Sequence, residues 1–291
     1  MPLRDVLLAL VAVLVLGLAF VAIKVGVAHM PPLLLTGLRF LFAAFPAILF
    51  VRPPKAPVHL VFAFGFMLGV VQFGLMISAI KLGMPAGLAS LIVQLQAFFT
   101  VGLAWLLLGE RPTRWQAIGA GLAALGMVLI GLRWVDSAPL LPLVMLLGAA
   151  LAWAAANLIG KRTGSADRLA LVVWGSLAAP LPLFALSWMF EGPDAILAAL
   201  SPPTWPAVGS IAFMAYPATV MAFSMWNKLL QRHPAAVVAP YALLIPVVGM
   251  ISASVAFGET LGSQEIVASA LILAGLLAGM RGGSIGRASL R

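Results

Sequence analysis

The 291-residue sequence contains no cysteine and only eight acidic residues. Without cysteine the chain cannot form disulfides, use a thiol nucleophile or hold a Cys-ligated metal. Its three histidines, His29, His59 and His233, lie far apart in the sequence, so we expect no metal site and no cofactor. The sequence also shows no Ser-His-Asp set, paired acids or phosphate loop, which argues against an enzyme.

Charge of either sign is scarce, because only 9% of the residues are charged and 63% are hydrophobic. Soluble domains carry about 25% charged residues. This composition fits a lipid bilayer, where the surface of the protein must be apolar. The net charge of +9 comes from basic residues scattered singly between apolar runs, which argues against a nucleic-acid partner.

Apolar runs of about 20 residues, the length needed to cross a bilayer, recur along the whole chain. They predict an all-α membrane protein with ten transmembrane helices. Their predicted positions are 5–27, 33–51, 59–81, 86–107, 114–132, 139–160, 169–190, 205–227, 235–257 and 264–281. The breaks between them hold Pro-Pro pairs, Gly-Glu pairs or clusters of charge.

The basic residues lie mainly on one side of these predicted helices. With the N-terminus in the cytoplasm, 13 of the 17 fall inside: Arg4, Arg52, Lys55, Arg111, Arg114, Lys161, Arg162, Arg168, Lys228, Arg232, Arg281, Arg287 and Arg291. Such a bias in short loops fixes orientation. We therefore expect both termini in the cytoplasm and an even number of helices.

The two halves of the sequence resemble each other weakly. Gly109-Glu110 recurs 149 residues later as Gly258-Glu259, and Pro85-Ala86 recurs in the same register as Pro234-Ala235. Five helices in each half would place the second half upside down, and inverted repeats are typical of secondary transporters. We predict a first repeat over 1–133, a second over 138–282 and a cytoplasmic tail over 283–291.

Several motifs, taken in order along the chain, resemble the EamA-type branch of the drug/metabolite transporter superfamily. They are Phe20-Val21-Ala22-Ile23-Lys24-Val25-Gly26, Gly37-Leu38-Arg39-Phe40, Gly83-Met84-Pro85-Ala86, Gln94-Leu95-Gln96-Ala97-Phe98-Phe99-Thr100, Gly109-Glu110-Arg111 and Pro240-Tyr241-Ala242-Leu243-Leu244-Ile245-Pro246. The resemblance covers nearly the whole chain and is strongest to bacterial amino-acid exporters.

The resemblance implies two five-helix repeats around a central cavity in the bacterial inner membrane. It implies export of small amino acids, such as threonine, methionine or cysteine-like solutes, or of a broader neutral range. Because relatives also move sugars, nucleotide sugars and amines, a drug or metabolite exporter is the alternative, and a channel is a further one. A monomeric form is expected.

Neutral polar residues within the predicted helices are the candidate substrate-binding groups: Gln72, Gln96, Trp153, Asn157, Tyr216 and Tyr241. Amide and hydroxyl groups can satisfy a carboxylate or an ammonium, and a Trp ring can hold an ammonium. Ordinary hydrogen bonding between helices is the alternative for each. Gln94 and Gln96 cannot share one helical face, and we choose Gln96 from its place in the motif.

Lys24, Arg39, Pro240 and Pro246 are predicted to serve as gate or structural residues. Arg39 would tie helix ends or loop carbonyls together, and binding of a substrate carboxylate is the alternative. For Glu110 and Glu259 at helix ends we expect local capping or a salt bridge. No acid or histidine lies mid-helix in the sequence, so we predict no buried proton relay and weak, roughly millimolar binding.

Overall fold

The computed structural model of the protein describes residues 1–137, 140–164, 167–233, 235–259 and 262–288, and every regular element in these ranges is helical. This confirms the predicted all-α membrane class. Nine helical stretches within the ranges are long and apolar enough to cross a bilayer: Leu3–His29, Pro32–Leu49, Val58–Lys81, Ala86–Leu108, Leu141–Arg162, Arg168–Phe190, Trp205–Arg232, Pro240–Phe257 and Ser263–Met280. The fifth predicted span corresponds to a shorter apolar stretch, Arg114–Ile130.

Some predicted boundaries cannot be compared with the structure. Residues 138 and 139, where the second repeat and the sixth helix were placed, lie outside the described residues. The same holds for Pro234 of the repeated Pro-Ala pair and for residues 289–291 at the end of the predicted tail.

The helices of the first half are interrupted more often than hydropathy indicates. Their bounds are α1 Leu3–His29, α2 Pro32–Ala44, α3 Val58–Gly65, a π-helical segment Phe66–Phe73, α4 Gly74–Lys81, α5 Ala86–Ile92, a 3-10 turn Val93–Leu95, α6 Gln96–Leu108 and α7 Arg114–Ser137. Prolines precede or open α2, α3 and α5, at positions where the missing N–H needs no partner.

The second half contains α8 Leu141–Arg162, α9 Arg168–Gly175, a 3-10 turn Ser176–Ala178, α10 Pro180–Phe190, α11 Pro193–Leu200, α12 Trp205–Phe213, a π-helical segment Met214–Met221, α13 Ala222–Arg232, α14 Ala235–Ala242, α15 Leu244–Phe257 and α16 Ser263–Ala288. The short helix α11 lies in the longest predicted break between spans. Asp167 and Thr204 cap α9 and α12 by accepting from backbone N–H groups three residues later.

Interruptions recur at matching positions in the two halves. Eight-residue π segments begin at Phe66 and at Met214. The helices α6 and α15 both end at a glycine in the left-handed conformation, with φ of 69° at Gly109 and 66° at Gly258. A residue with a Cβ is disfavoured in that conformation. The repeat seen in sequence is therefore accompanied by a repeat of local backbone geometry.

The two halves interleave and do not form separate bundles. Helix α1 packs against α12, α13 and α15 of the second half, while α8 packs against α3, α4 and α6 of the first. Helix α7 lies along α16, where an added Cβ at Gly119 would come within 2.4 Å of the Gly275 carbonyl oxygen. Small residues allow this close approach of two membrane helices.

Burial is uneven along the fourth span. Every residue of α5 is buried, whereas α6, its continuation, contains no buried residue. We call the end of the bundle that holds Lys24 and Glu259 the Glu259 end, and the end that holds Asp5 and Arg232 the Asp5 end. The fully buried Ile77, Leu88 and Ile92 belong to the main core cluster.

Candidate functional site

A cluster of polar side chains joins the first half to the second where α6 faces α8. Asn157 Nδ2 donates to Gln96 Oε1 over 2.7 Å and to Thr100 Oγ1 over 3.2 Å. Thr100 Oγ1 in turn donates to the Gln96 backbone carbonyl over 2.6 Å. Two of the candidates predicted from sequence, Gln96 and Asn157, are thus in direct contact although 61 residues separate them.

The orientation of the two amides follows from Thr100. Its hydroxyl proton is directed to the Gln96 carbonyl, so Thr100 Oγ1 can only accept from its other neighbour, and the amino group of Asn157 must face it. Gln96 Nε2 and Asn157 Oδ1 then have no hydrogen-bond partner among the described residues. The partly exposed pair leaves one donor and one acceptor for a solute.

Trp153 lies one helical turn before Asn157 on α8, so the two side chains share a face. Its partly buried ring packs between two hydrophobic clusters, the main core and the cluster of Val61, Phe64 and Leu68. The sequence-predicted Trp153 therefore borders the amide pair with an aromatic surface, which suits the apolar part of a solute or an ammonium.

A second contact between the halves is made by Gln94, two residues before Gln96. Pro246 has no N–H, so the Ala242 carbonyl four residues earlier has no helical donor. Gln94 Nε2 donates to that carbonyl over 3.3 Å. Gln94 lies in the 3-10 turn of the fourth span and Ala242 at the break between α14 and α15, so the contact joins the two interruptions. The sequence-based prediction chose Gln96 and did not include Gln94.

Among the described residues, the fourth and ninth spans pack closely against each other only on the Glu259 side of the Gln94–Ala242 contact. Helix α5 packs against α15, where Ser90 Oγ lies 3.3 Å from the Pro246 carbonyl and an added Cβ at Gly249 would touch Ser90. On the other side α6 packs on α8, and α14 packs on α16 and α1. The Gln94–Ala242 contact is therefore the point from which the spans diverge toward the Asp5 end.

Glu259 joins the second half of the chain to the first at the Glu259 end, and we call the line of contact between the halves the seam. One carboxylate oxygen accepts from Ala86 N at 3.0 Å and the other from Gly87 N at 3.1 Å, which caps the N-terminus of α5. Lys24 Nζ donates to the same carboxylate at 2.5 Å and lies 4.6 Å from the ring centroid of Phe257. The predicted salt bridge of Glu259 is present, with Lys24 as its partner, whereas the cap is formed on α5 of the other half and not locally.

Glu191 makes a second closure at the same end. Its carboxylate accepts from Leu33 N at 2.6 Å and Leu34 N at 3.1 Å, the first turn of α2, and from Ser187 Oγ at 2.5 Å. A carboxylate at a helix N-terminus satisfies free N–H groups and the helix dipole. Two acids of the second half thus cap two helices of the first, an arrangement the sequence did not predict for Glu191.

Contacts at the Asp5 end are of a different kind. Asp5 pairs with Arg232 at 3.3 Å and with His233 at 2.7 Å, which joins α1 to α13. Glu110, the repeat mate of Glu259, pairs with Lys161, and both side chains are more than half exposed. This pairing confirms the predicted salt bridge of Glu110. Among the described residues Glu110 makes no hydrogen bond to a helix N-terminus, so the two acids act differently.

Within the described part of the chain, none of the other predicted residues hydrogen-bonds to the amide pair. Tyr216 is 40% exposed on the apolar surface, with its hydroxyl 3.5 Å from the Phe45 carbonyl. Tyr241 packs beside Ala9 and Leu229, and Pro240 is exposed. Gln72 is buried with only the Met76 sulfur, 3.7 Å away, as partner. Arg39 is buried and donates to Thr219 Oγ1 at 3.4 Å.

Two hollows in the described part of the chain, of about 480 and 350 Å³, have apolar linings. One is bordered by Leu7, Val11 and Met225, the other by Phe62, Met67 and Ile159. Neither includes Gln96 or Asn157. Neither hollow therefore corresponds to the central cavity that the resemblance implies, and the amide pair is partly exposed outside both.

Comparison with protein families gives two matches of the EamA-like transporter family, at residues 3–132 and 140–279. A protein of Salmonella typhimurium named "Probable amino-acid metabolite efflux pump" is 42% identical over 94% of this chain and 93% of the relative. An Escherichia coli K12 protein of the same name is 38% identical over the same shares. One crystal structure aligns with a TM-score of 0.61 at 21% identity, covering 94% of this chain and 95% of that one, which supports the fold alone.

Proposed function

The chain belongs to the EamA-like transporter family, and from this premise we propose that it exports small, mostly neutral amino acids across the bacterial inner membrane. The names of the Salmonella and Escherichia relatives support an amino-acid solute. The observation that carries the proposal is the Gln96–Asn157 pair between the halves, with one free donor and one free acceptor.

We propose that the chain crosses the bilayer ten times, as two inverted five-helix repeats with boundaries near residues 133 and 138. The shorter apolar stretch of α7 supplies the fifth crossing. The matching π segments, breaks and left-handed glycines support the repeat. Both termini lie in the cytoplasm, because the Asp5 end carries most of the basic residues.

With this orientation the Glu259 end faces outward and the structure is an inward-facing state. Glu259 and Glu191 hold the outer seam closed, and α5 is packed on α15. Toward the cytoplasm α6 and α14 pack on different neighbours, which leaves the amide pair partly exposed. Movement about the Gln94–Ala242 contact would open the outer seam and close the inner one, which is alternating access.

Solute recognition relies on neutral groups. Asn157 Oδ1 accepts from the solute ammonium, Gln96 Nε2 donates to a solute oxygen, and Trp153 covers the apolar part. Two uncharged hydrogen bonds at a partly exposed site give weak binding, about millimolar, or roughly −4 kcal/mol. Weak binding suits an exporter that acts when a solute accumulates in the cytoplasm.

The proposal is tested by efflux from cells overloaded with a panel of neutral amino acids. Wild type should export at least one of them, Gln96→Ala and Trp153→Ala should export it several-fold more slowly, and Gln231→Ala, an exposed glutamine at the end of α13, should match wild type. Export of none of the panel by wild type would reject the amino-acid assignment. Equal export by all four proteins would reject the site.

A further inference from the structure

Arg39 is a buried cation with most of its hydrogen-bonding capacity unused. It lies on α2, about two turns from the helix start, and its residue is 4% exposed. Its Nη2 group donates to Thr219 Oγ1 over a long 3.4 Å, while Nε and Nη1 are buried without any partner in the described ranges. Charged groups inside a membrane normally pair with one another or face a wet pathway.

The surroundings of Arg39 compensate little of this charge. The guanidinium carbon lies 3.8 Å from the ring centroid of Phe73 and 5.3 Å from that of Phe40, so aromatic faces are its main neighbours. Thr219 directs its own proton to the Met214 carbonyl and can offer Arg39 only an acceptor. Phe73 and Thr219 belong to the two π-helical segments, a kind of irregularity frequent at functional sites.

The described part of the chain contains no carboxylate at the depth of Arg39. Its acidic residues with described side chains all lie at or beside helix ends: Asp5, Glu110, Asp167, Glu191, Asp194, Glu259 and Glu265. Arg39 forms no salt bridge with any of them. The anion that would accept hydrogen bonds from Nε and Nη1 of Arg39 is therefore not supplied by these residues.

We propose that Arg39 is an anion-binding position on the transport route, which pairs with the carboxylate of the solute as it passes between α2 and the two π-helical segments. This inference rests on the proposed function and deepens it, because it requires the solute to carry a carboxylate. Gln96 Nε2 is a neutral donor group, whereas Nε and Nη1 of Arg39 are charged donors, and hydrogen bonds from charged donors to an anion are the stronger ones. The position is closed in this state and takes the anion once these helices separate.

The test compares wild type, Arg39→Met and the control Arg52→Gln, which removes one basic charge from an exposed position beyond α2. Thermal unfolding of each purified protein is followed alone and with methionine, threonine or phenylalanine at tens of millimolar. The corresponding amino-acid amides, which lack the carboxylate, are the matched probes. Uptake of the same three amino acids into proteoliposomes is measured in parallel.

We expect at least one amino acid, but not its amide, to raise the unfolding temperature of wild type and of Arg52→Gln. Arg39→Met should lose this difference and, without solute, should unfold no earlier than wild type, because an unpaired buried charge has been removed. A structural tie would instead make Arg39→Met unfold earlier.

The inference is overturned if acid and amide stabilise wild type equally, if neither does, or if Arg39→Met keeps the preference for the acid. Uptake that continues while the preference is absent rejects the role of Arg39 and leaves the transport function standing. Carboxylate-dependent stabilisation without uptake of any of the three rejects amino-acid transport and leaves the anion position standing.

Discussion

Replacing Glu259 by glutamine should shift the protein toward the outward-facing state. Glu259 accepts from two backbone N–H groups of α5 and from Lys24, and all three contacts join the two halves at the Glu259 end. Glutamine keeps one acceptor oxygen, turns an amino group toward the remaining N–H and removes the charge. These three contacts, which we call the latch, form only while the seam is closed. Their loss therefore changes the equilibrium between the proposed inward-facing and outward-facing states.

The magnitude follows from the three contacts. One lost backbone hydrogen bond costs about 1 kcal/mol, with about as much again for the loss of the charge at a helix N-terminus. The Lys24 side chain is 33% exposed and that of Glu259 13%, so their ion pair adds at most about 1 kcal/mol. A total of about 2–3 kcal/mol corresponds to a shift of roughly 30- to 150-fold.

The absence of cysteine makes the assay direct, because Leu82→Cys and Val255→Cys can carry spin labels on an otherwise unlabelled chain. Both positions are exposed near the Glu259 end, Leu82 in the first half and Val255 in the second. Pulsed electron paramagnetic resonance should show a population with a longer distance between the two labels in Glu259→Gln. Almost none of that population should appear in Glu110→Gln, because the Glu110 side chain is half exposed. Identical distances in wild type and Glu259→Gln, or an equal shift in Glu110→Gln, would refute the latch.

The remaining predictions concern helix packing, coupling of transport to an ion gradient, and the Gln94–Ala242 contact about which the halves are proposed to move. Gly119→Ala should lower the unfolding temperature, at a cost of about 1–3 kcal/mol, while Gly121→Ala, whose added Cβ meets nothing within 4 Å, should leave it unchanged. Uptake into liposomes should proceed without an imposed ion gradient, and strict dependence on a proton gradient would contradict the absence of a relay. Gln94→Leu should leave the Ala242 carbonyl unpaired and slow turnover several-fold without raising the half-saturation concentration, which initial-rate measurements would decide.

Much of the fold could be predicted because hydropathy reports helix length and the Gly-Glu pairs report the repeat. The direction of a side chain could not. Tyr216 is mid-span in the sequence, but a helix that is apolar all round has no polar face to indicate which side meets lipid. The structure places Tyr216 on the exposed surface.

The site was only partly predictable for a related reason. Gln96 and Asn157 were chosen separately from their residue types, and no spacing rule relates two helices 61 residues apart. Glu259 was expected to cap or pair locally, but its partners Ala86 and Gly87 lie in the other half. One feature of the sequence does point to a residue such as Gln94. Because Pro246 has no N–H, the Ala242 carbonyl needs a donor from elsewhere, and Gln94 is that donor.

The central claim is that a solute binds at the Gln96–Asn157 pair and is carried across by alternating access. The direct measurement is the initial rate of amino-acid uptake into proteoliposomes against solute concentration, for wild type and Asn157→Leu. We predict saturation at about millimolar solute for wild type, and at least a tenfold fall in the ratio of maximal rate to half-saturation concentration for Asn157→Leu. A rate that rises linearly with concentration, as through a pore, or equal kinetics for both proteins would contradict the claim.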